Sequence, residues 1–213
     1  MTGTYPISLV LTDKPVLVVG GGAVAARKAD GLLGCGARVI IVAPEVSAKT
    51  RQLIDGDRCV WKTREYQASD LEGMTLVFAC TNDEVVNVDV YRDARSRGLL
   101  VNVADCPEFC DFYLPSVLRR DNLSIAVSTN GSSPLTARII REKLENQFGE
   151  EMGAYLRLLQ SWRPQTIAVL SAGKRQLFWQ RVNDSQVYEL VSCGETRQAE
   201  ALLERLLEES KAC

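Results

Sequence analysis

Apolar residues follow two rhythms along the chain, and the change between them near residue 105 divides it. In the first part, short apolar runs alternate with stretches of helical spacing. Residues 16–19 form a β-branched run between Asp13-Lys14-Pro15 and Gly20-Gly21-Gly22, the pattern of a buried strand. Residues 23–33 carry helical spacing and are closed by Gly34 and Gly36. Residues 38–42 predict a second buried strand, and Ser47 a cap for a helix over 48–54. Strands are predicted at 58–62, 76–80 and 100–103, with a helix over 84–97 that Gly98 ends. Strands alternating with helices predict an α/β fold, a parallel sheet covered on both faces.

Beyond Asp105, residues 112–118 and 123–127 predict two strands about the turn Arg120-Asp121-Asn122. The polar run Ser128-Thr129-Asn130-Gly131-Ser132-Ser133-Pro134 follows. Ser133 fits an N-cap and Pro134 the first helical position, so a helix is expected from there to about residue 148. Residues 150–213 are mostly helical in pattern, with breaks expected near Arg163-Pro164, Asn183-Asp184 and Cys193-Gly194. Ala199, Leu202, Leu203, Leu206 and Leu207 form an apolar stripe that should pack on the domain or on a dimer partner. Trp61, Trp162 and Trp179 are read as packing residues.

Composition narrows the function. Of 213 residues, 46% are hydrophobic and 24% charged, the balance of a globular protein, and the net charge of −2 offers no basic field for nucleic acid. No apolar run approaches the roughly 18 residues that span a bilayer. The segment from Met1 to Tyr5 carries no basic stretch and the apolar run after it is short for a signal peptide, so a soluble cytoplasmic protein without membrane partners is expected. The seven cysteines, Cys35, Cys59, Cys80, Cys106, Cys110, Cys193 and Cys213, are odd in number and scattered, which favours buried reduced thiols. Cys106 and Cys110 have no second ligand pair nearby, so no metal site is expected. The chain has no histidine, which excludes a Ser-His-Asp triad and an H-E-x-x-H zinc site. A proton must move through a carboxylate, lysine, tyrosine, thiol or water.

Gly20-Gly21-Gly22-Ala23-Val24-Ala25 fits G-x-G-x-x-G/A, and it follows a predicted strand and opens a predicted helix. In that context it marks a Rossmann-type, doubly wound sheet. Gly20 allows the tight turn, Gly22 lets backbone approach a diphosphate, and a small residue at 25 lets helix and strand pack closely. The helix N-terminus offers N–H groups to the phosphates. An acidic residue about 20 positions on should meet the ribose. The second strand leads into Ala43-Pro44-Glu45, so Glu45 is the candidate, against the alternative of a solvent-facing loop residue. A glutamate there disfavours a 2′-phosphate and so favours NAD over NADP. Thr81-Asn82-Asp83 should lie along the same crevice.

The segment from Gly20 to Lys28 resembles the G-G-G-x-V-A-x-R-K signature of the precorrin-2 dehydrogenase and sirohydrochlorin ferrochelatase family, the amino-terminal module of sirohaem synthase. The likeness continues through Val42-Ala43-Pro44-Glu45, Ala79 to Glu84 with Asn87, Val101-Asn102-Val103-Ala104-Asp105, Cys110 to Ser116, and Ile125 to Pro134 with Ala137, Arg138 and Arg141. It covers roughly residues 5 to 150. It implies NAD-dependent oxidation of precorrin-2 to sirohydrochlorin, with insertion of ferrous iron as an activity of some members, and a homodimer. It implies a dinucleotide-binding domain over 1–113, a dimerisation and substrate-site segment over 114–149, and a helical domain over 150–213 whose role the resemblance leaves open. It also implies the absence of the methyltransferase domain of the bifunctional enzymes.

On this resemblance Asp105 is the catalytic residue. Gly20, Gly21, Gly22, Ala23, Val24, Pro44, Glu45, Thr81 and Asn82 are the dinucleotide contacts. The tetrapyrrole carries eight carboxylates, so Arg138 and Arg141, three apart on one helix face, are candidate anchors alongside Asn102, Ser128, Thr129, Asn130 and Ser132. A solvated basic face is the alternative for the arginines, and surface charge for Arg27 and Lys28. A rival reading is a nucleotide-sensing regulatory module of the potassium-transporter type, which shares a glycine turn and an acidic, asparagine-containing segment.

Overall fold

The computed structural model describes residues 3–212. Met1, Thr2 and Cys213, including the expected thiol at Cys213, lie outside the described residues. The chain divides into two compact units, 1–113 and 114–213.

The first unit is a five-stranded parallel sheet of order β3-β2-β1-β4-β5. The strands are β1 (Pro15–Val19), β2 (Arg38–Val42), β3 (Cys59–Lys62), β4 (Leu76–Ala79) and β5 (Leu100–Val103). Helices α1 (Ala23–Leu33), α2 (Ala48–Gln52) and α3 (Glu84–Ser96) connect them, with a 3-10 turn over Ala68–Leu71. Alternation along β1 explains its two buried faces. Val16 and Val18 pack with Ala25, Ala29 and Leu32 of α1, while Leu17 and Val19 pack with Val90 and Ala94 of α3. Each buried Val or Leu contributes roughly 1.5–3 kcal/mol. The strand order reverses between β1 and β4, and such sheets bind ligands beside the strand ends at that point.

Asp70 in the 3-10 turn is almost fully buried and receives Lys62 Nζ at 2.9 Å and Arg64 at 2.6 and 2.7 Å. Burial alone would push its carboxyl up, but the hydrogen bonds from Arg64 and Lys62 overcome this and hold it at about 2. A carboxylate with a depressed pKa stabilises the fold above its unfolded value, near 4, and the contribution fades as pH falls toward 2. Asp70→Asn is expected to cost about 2 kcal/mol at pH 7 and to flatten the stability curve between pH 4 and 2, measured by urea unfolding. An unchanged curve would show that the triad is not a stabilising one.

The second unit begins with an antiparallel hairpin, β6 (Ser116–Arg120) and β7 (Leu123–Val127), followed by α4 (Pro134–Gln147), α5 (Glu150–Val169), α6 (Ala172–Asn183), α7 (Val187–Ser192) and α8 (Thr196–Ala212). Tyr155, Leu158 and Trp162 of α5 meet Phe178 and Val182 of α6 and Ala199, Leu203 and Leu207 of α8, so the apolar stripe of α8 packs within its own unit. Gly153 allows α5 to approach the hairpin: a Cβ there would stand 2.7 Å from Asp121 Oδ2 and 3.3 Å from the Arg120 backbone.

Three expectations are corrected. The helix break expected at Arg163-Pro164 is absent, and α5 runs through Pro164 to Val169. Pro164 faces solvent while Trp162 and Thr166 are buried, so packing carries the helix past the proline despite its missing N–H. The break comes at Leu170, which turns extended and into the core. The strand expected over 112–118 starts only at Ser116. Residues 110–112 are instead tied to β5, where the Asp111 N–H donates to Val101 O at 2.9 Å and Asn102 Nδ2 to Phe112 O at 2.9 Å. The six described cysteines form no disulfide, but not all are buried: Cys193 is exposed in the turn after α7. Among the described residues no helix is long and apolar enough to cross a membrane.

Candidate functional site

The glycine loop joins β1 to α1 at the switch point. Gly20 has φ +119°, and a Cβ there would stand 2.4 Å from Cys80 O, so the ends of β1 and β4 close on each other only around glycine. Gly21 is crowded from the other side, with a hypothetical Cβ 2.1 Å from Glu45 O. Its carbonyl accepts the Ser47 N–H at 2.8 Å and the Thr50 hydroxyl at 2.7 Å, which fixes the loop to the start of α2. Gly22 is different: it is exposed and nothing lies within 4 Å of where a Cβ would be. It caps α1 with no side-chain hydrogen bond and no acidic residue in the first turn. Ser47 and Asp83 cap α2 and α3 with their side chains. The mouth of α1 is thus an uncapped ring of N–H donors beneath an open glycine surface, which fits a dinucleotide diphosphate. Ala23 is exposed, Val24 half-buried, and Ala25 fully buried against the sheet, as a small third position requires.

Pro44 and Glu45 are exposed just past β2, with the Glu45 backbone against Gly21. Past β4, the Thr81 hydroxyl donates to Asn87 Oδ1 at 2.9 Å, and the Asn87 amide returns a bond to Thr81 O at 3.0 Å. Buried Asn87 therefore sets the loop, and Asn82 is left exposed at its tip. Thr50 and Asn87 were missed as loop anchors. For Thr50 the signal in the sequence is a hydroxyl near a helix start; for Asn87 it is an amide within the segment that carries the family resemblance.

Asp105 lies two residues past β5, exposed, in the left-handed conformation with φ +57°. Left-handed non-glycine residues are uncommon and gather in turns and at working sites. Asp13 and Asp121 adopt it in turns beside strands, and Asn130 in the polar loop after β7. Among the described residues no hydrogen bond or ion pair engages the Asp105 carboxylate. The neighbouring thiols are poor bases: burial pushes Cys80 up to about 11 and raises Cys110, whose Sγ is also bonded to the Val103 backbone. No three His, Cys, Asp or Glu side chains among the described residues converge for a metal.

Lys28 is not a plain surface charge. Its Nζ reaches Asn102 Oδ1 at 2.9 Å and lies 5.4 Å from the centroid of the Phe78 ring. Burial pulls its pKa down, with Cys80, Cys110 and Asp105 opposing and Arg27 assisting. Asn102, taken from the sequence as a substrate contact, is buried with both ends of its amide engaged, by Lys28 and by Phe112 O. It holds protein to protein.

The remaining substrate candidates belong to the second unit. Ser128 Oγ accepts the Asn130 N–H at 3.1 Å, and the Thr129 hydroxyl bonds to Ser133 O at 3.0 Å, so the loop before α4 is preformed. Ser133 caps α4 through the Thr136 N–H. Ser132 is exposed. Arg138 pairs with Glu142 at 2.7 Å, and Arg141 with Glu145 and with Glu142 at 3.3 Å. Both guanidinium groups are therefore already paired with carboxylates of their own helix.

Three family models match the chain. One described as NAD(P)-binding covers residues 7–116, a sirohaem biosynthesis protein central model covers 120–147, and a sirohaem synthase dimerisation region covers 151–207. The last falls in the helical tail whose role the sequence left open. Among curated proteins, the siroheme synthase of Psychrobacter sp. (strain PRwf-1) is 36% identical over 97% of this chain and 43% of its own length. Siroheme synthase 1 of Serratia proteamaculans (strain 568) is 39% identical over 96% and 43%. The chain thus spans less than half the length of these relatives. A solved structure described as SirC, precorrin-2 dehydrogenase, superimposes with a TM-score of 0.78 at 30% identity, covering 95% of this chain and all of that one.

Proposed function

From a chain that belongs to the family of precorrin-2 dehydrogenases and sirohaem synthase amino-terminal modules, we propose an enzyme that oxidises precorrin-2 to sirohydrochlorin with NAD. The observation that carries the reading is the pairing, on one rim of strand ends, of an uncapped helix mouth under open Gly22 with the unengaged carboxylate of Asp105. The transporter-type sensor is not favoured, since the matches named above are to proteins of sirohaem synthesis.

Bound at this loop, NAD supplies the hydride acceptor. The N–H groups opening α1, at Ala23 and Val24, would hold the diphosphate, with Gly20 and Gly21 shaping the turn. Glu45 would accept from the ribose hydroxyls beside Pro44, and Thr81 and Asn82 would border the nicotinamide end. Asp105 would take the proton released as the macrocycle is oxidised, and its exposure lets it pass that proton to water. Ser128, Thr129, Asn130 and Ser132 would bind tetrapyrrole carboxylates at the start of α4. Arg138 and Arg141 would do so by exchanging a glutamate partner for a substrate carboxylate. The dimerisation-region match supports a homodimer.

The test is absorbance-followed conversion of precorrin-2 with NAD by the folded protein, and failure to convert would end the proposal. Adding ferrous iron asks for the second activity, for which Asp105 is the proposed proton acceptor. Glu45→Gln is expected to narrow the preference for NAD over NADP by about tenfold, since it removes one charge facing a 2′-phosphate. An unchanged ratio of kcat/KM values would take Glu45 out of the ribose site.

A further inference from the structure

Even a half-buried ammonium costs some desolvation free energy, and a methionine of similar length would pack on Phe78 without it. The charge at Lys28 therefore calls for a use other than packing. Side chains of a helix lean toward its N-terminus. A lysine in the second turn of α1 therefore carries its amine back toward the glycine loop and across β4 to β5. There it meets Asn102 Oδ1 at 2.9 Å. The charged groups that face it are Asp105, which attracts, and Arg27, which repels, with the thiols of Cys80 and Cys110 completing the surround.

The loop that carries Asp105 is tied at its feet to the two neighbouring strands β5 and β4. At one foot, Asn102 Nδ2 donates to Phe112 O, and Asp111 takes the Val101 N–H at 3.1 Å and Arg95 at 2.5 Å. At the other, the Ala104 N–H donates to Ala79 O at 2.8 Å, and Cys110 Sγ bridges Val103 O at 3.2 Å and Cys106 O at 3.3 Å. Asn102 sits at the junction, and Lys28 joins that junction to the helix that opens at the dinucleotide loop.

We propose that Lys28 is a positioning residue for Asp105: through Asn102 it fixes the end of β5 and the loop over 104–110. This rests on Asp105 being the base of the dehydrogenation. It gives a task to a residue that otherwise reads as surface charge.

The experiment compares the full chain with K28M and K28R. Steady-state oxidation of precorrin-2 by NAD is measured together with hydrogen–deuterium exchange. K28M should lose about tenfold to a hundredfold in kcat, the scale of a misplaced catalytic group. Its KM values for NAD and precorrin-2 should stay within about twofold. Exchange across 104–110 should quicken while exchange across 20–26 stays as it was. K28R should recover most of the rate. A K28M enzyme with full kcat, a loss confined to NAD affinity, unchanged exchange across 104–110, or a K28R no better than K28M would each overturn the proposal. If the unsubstituted chain does not oxidise precorrin-2, the dehydrogenase reading falls, and exchange still decides whether Lys28 holds the loop. Should K28M fail to fold, K28Q replaces it in the same comparison.

Discussion

Asp105→Asn is expected to lower kcat for precorrin-2 oxidation by about a hundredfold to ten-thousandfold, the usual worth of a positioned proton acceptor. KM for NAD should stay within about twofold and the melting temperature should not move. The substitution is chosen for the backbone. Asp105 has φ +57°, a conformation that asparagine tolerates and alanine adopts at a cost, so asparagine removes the acid and leaves the turn. The carboxylate is exposed and engaged by no hydrogen bond among the described residues, so its loss breaks no structural contact. Other proton acceptors on this rim are weak. The chain has no histidine, Cys80 is held protonated at about 11, and Cys110 is raised by burial. If the protein also inserts ferrous iron, the same variant should lose that activity, because pyrrole protons need the same acceptor. A D105N enzyme that kept full rates would remove Asp105 from the chemistry and leave water or the substrate as the base.

Much of this arrangement is legible in the sequence. The first unit is written in β-branched runs punctuated by glycines, and its strand and helix ends fall within one or two residues of where those signals put them. Tertiary contacts defeated the reading elsewhere. A proline such as Pro164 usually stops a helix, but Leu158, Trp162 and Thr166 are buried along one side of α5 and carry it on to Val169. The strand expected from residue 112 starts late because residues 110–112 serve as a foot of the Asp105 loop, a role set by Asn102 and Asp111 across ten residues. Asp105 could be found because position after a strand and family resemblance agree. Lys28 closes the resemblance signature, but a lysine on a helix normally means solvent, so surface charge and function stand level there. A fainter signal was present: Ala25, Ala29 and Leu32 mark the buried stripe of α1, and position 28 lies on its flank. For Arg138 and Arg141 the spacing that suggested a shared anion also places Glu142 and Glu145 within reach, and in the structure the local pairs form.

Gly21→Ala and Gly22→Ala, neighbours in one loop, are expected to fail in opposite ways. At Gly21 an added methyl would stand 2.1 Å from Glu45 O and 2.9 Å from Val46 Cα, both backbone atoms. That backbone cannot yield without breaking the bonds from Ser47 and Thr50 to Gly21 O. The variant should lose about 2–4 kcal/mol of stability in urea and its NAD affinity together. At Gly22 the methyl meets nothing within 4 Å and φ is −78°, which any residue adopts. Stability should hold to within about 0.5 kcal/mol. The methyl nevertheless occupies the surface where a diphosphate must approach the N–H groups of α1, so Kd for NAD should rise at least about tenfold, read by titration calorimetry. The contrast separates a glycine required by the chain's own packing from one required by a ligand. A Gly22→Ala protein that binds NAD as tightly as the parent would mean that the diphosphate does not rest on this helix, and the site would have to be sought elsewhere on the sheet.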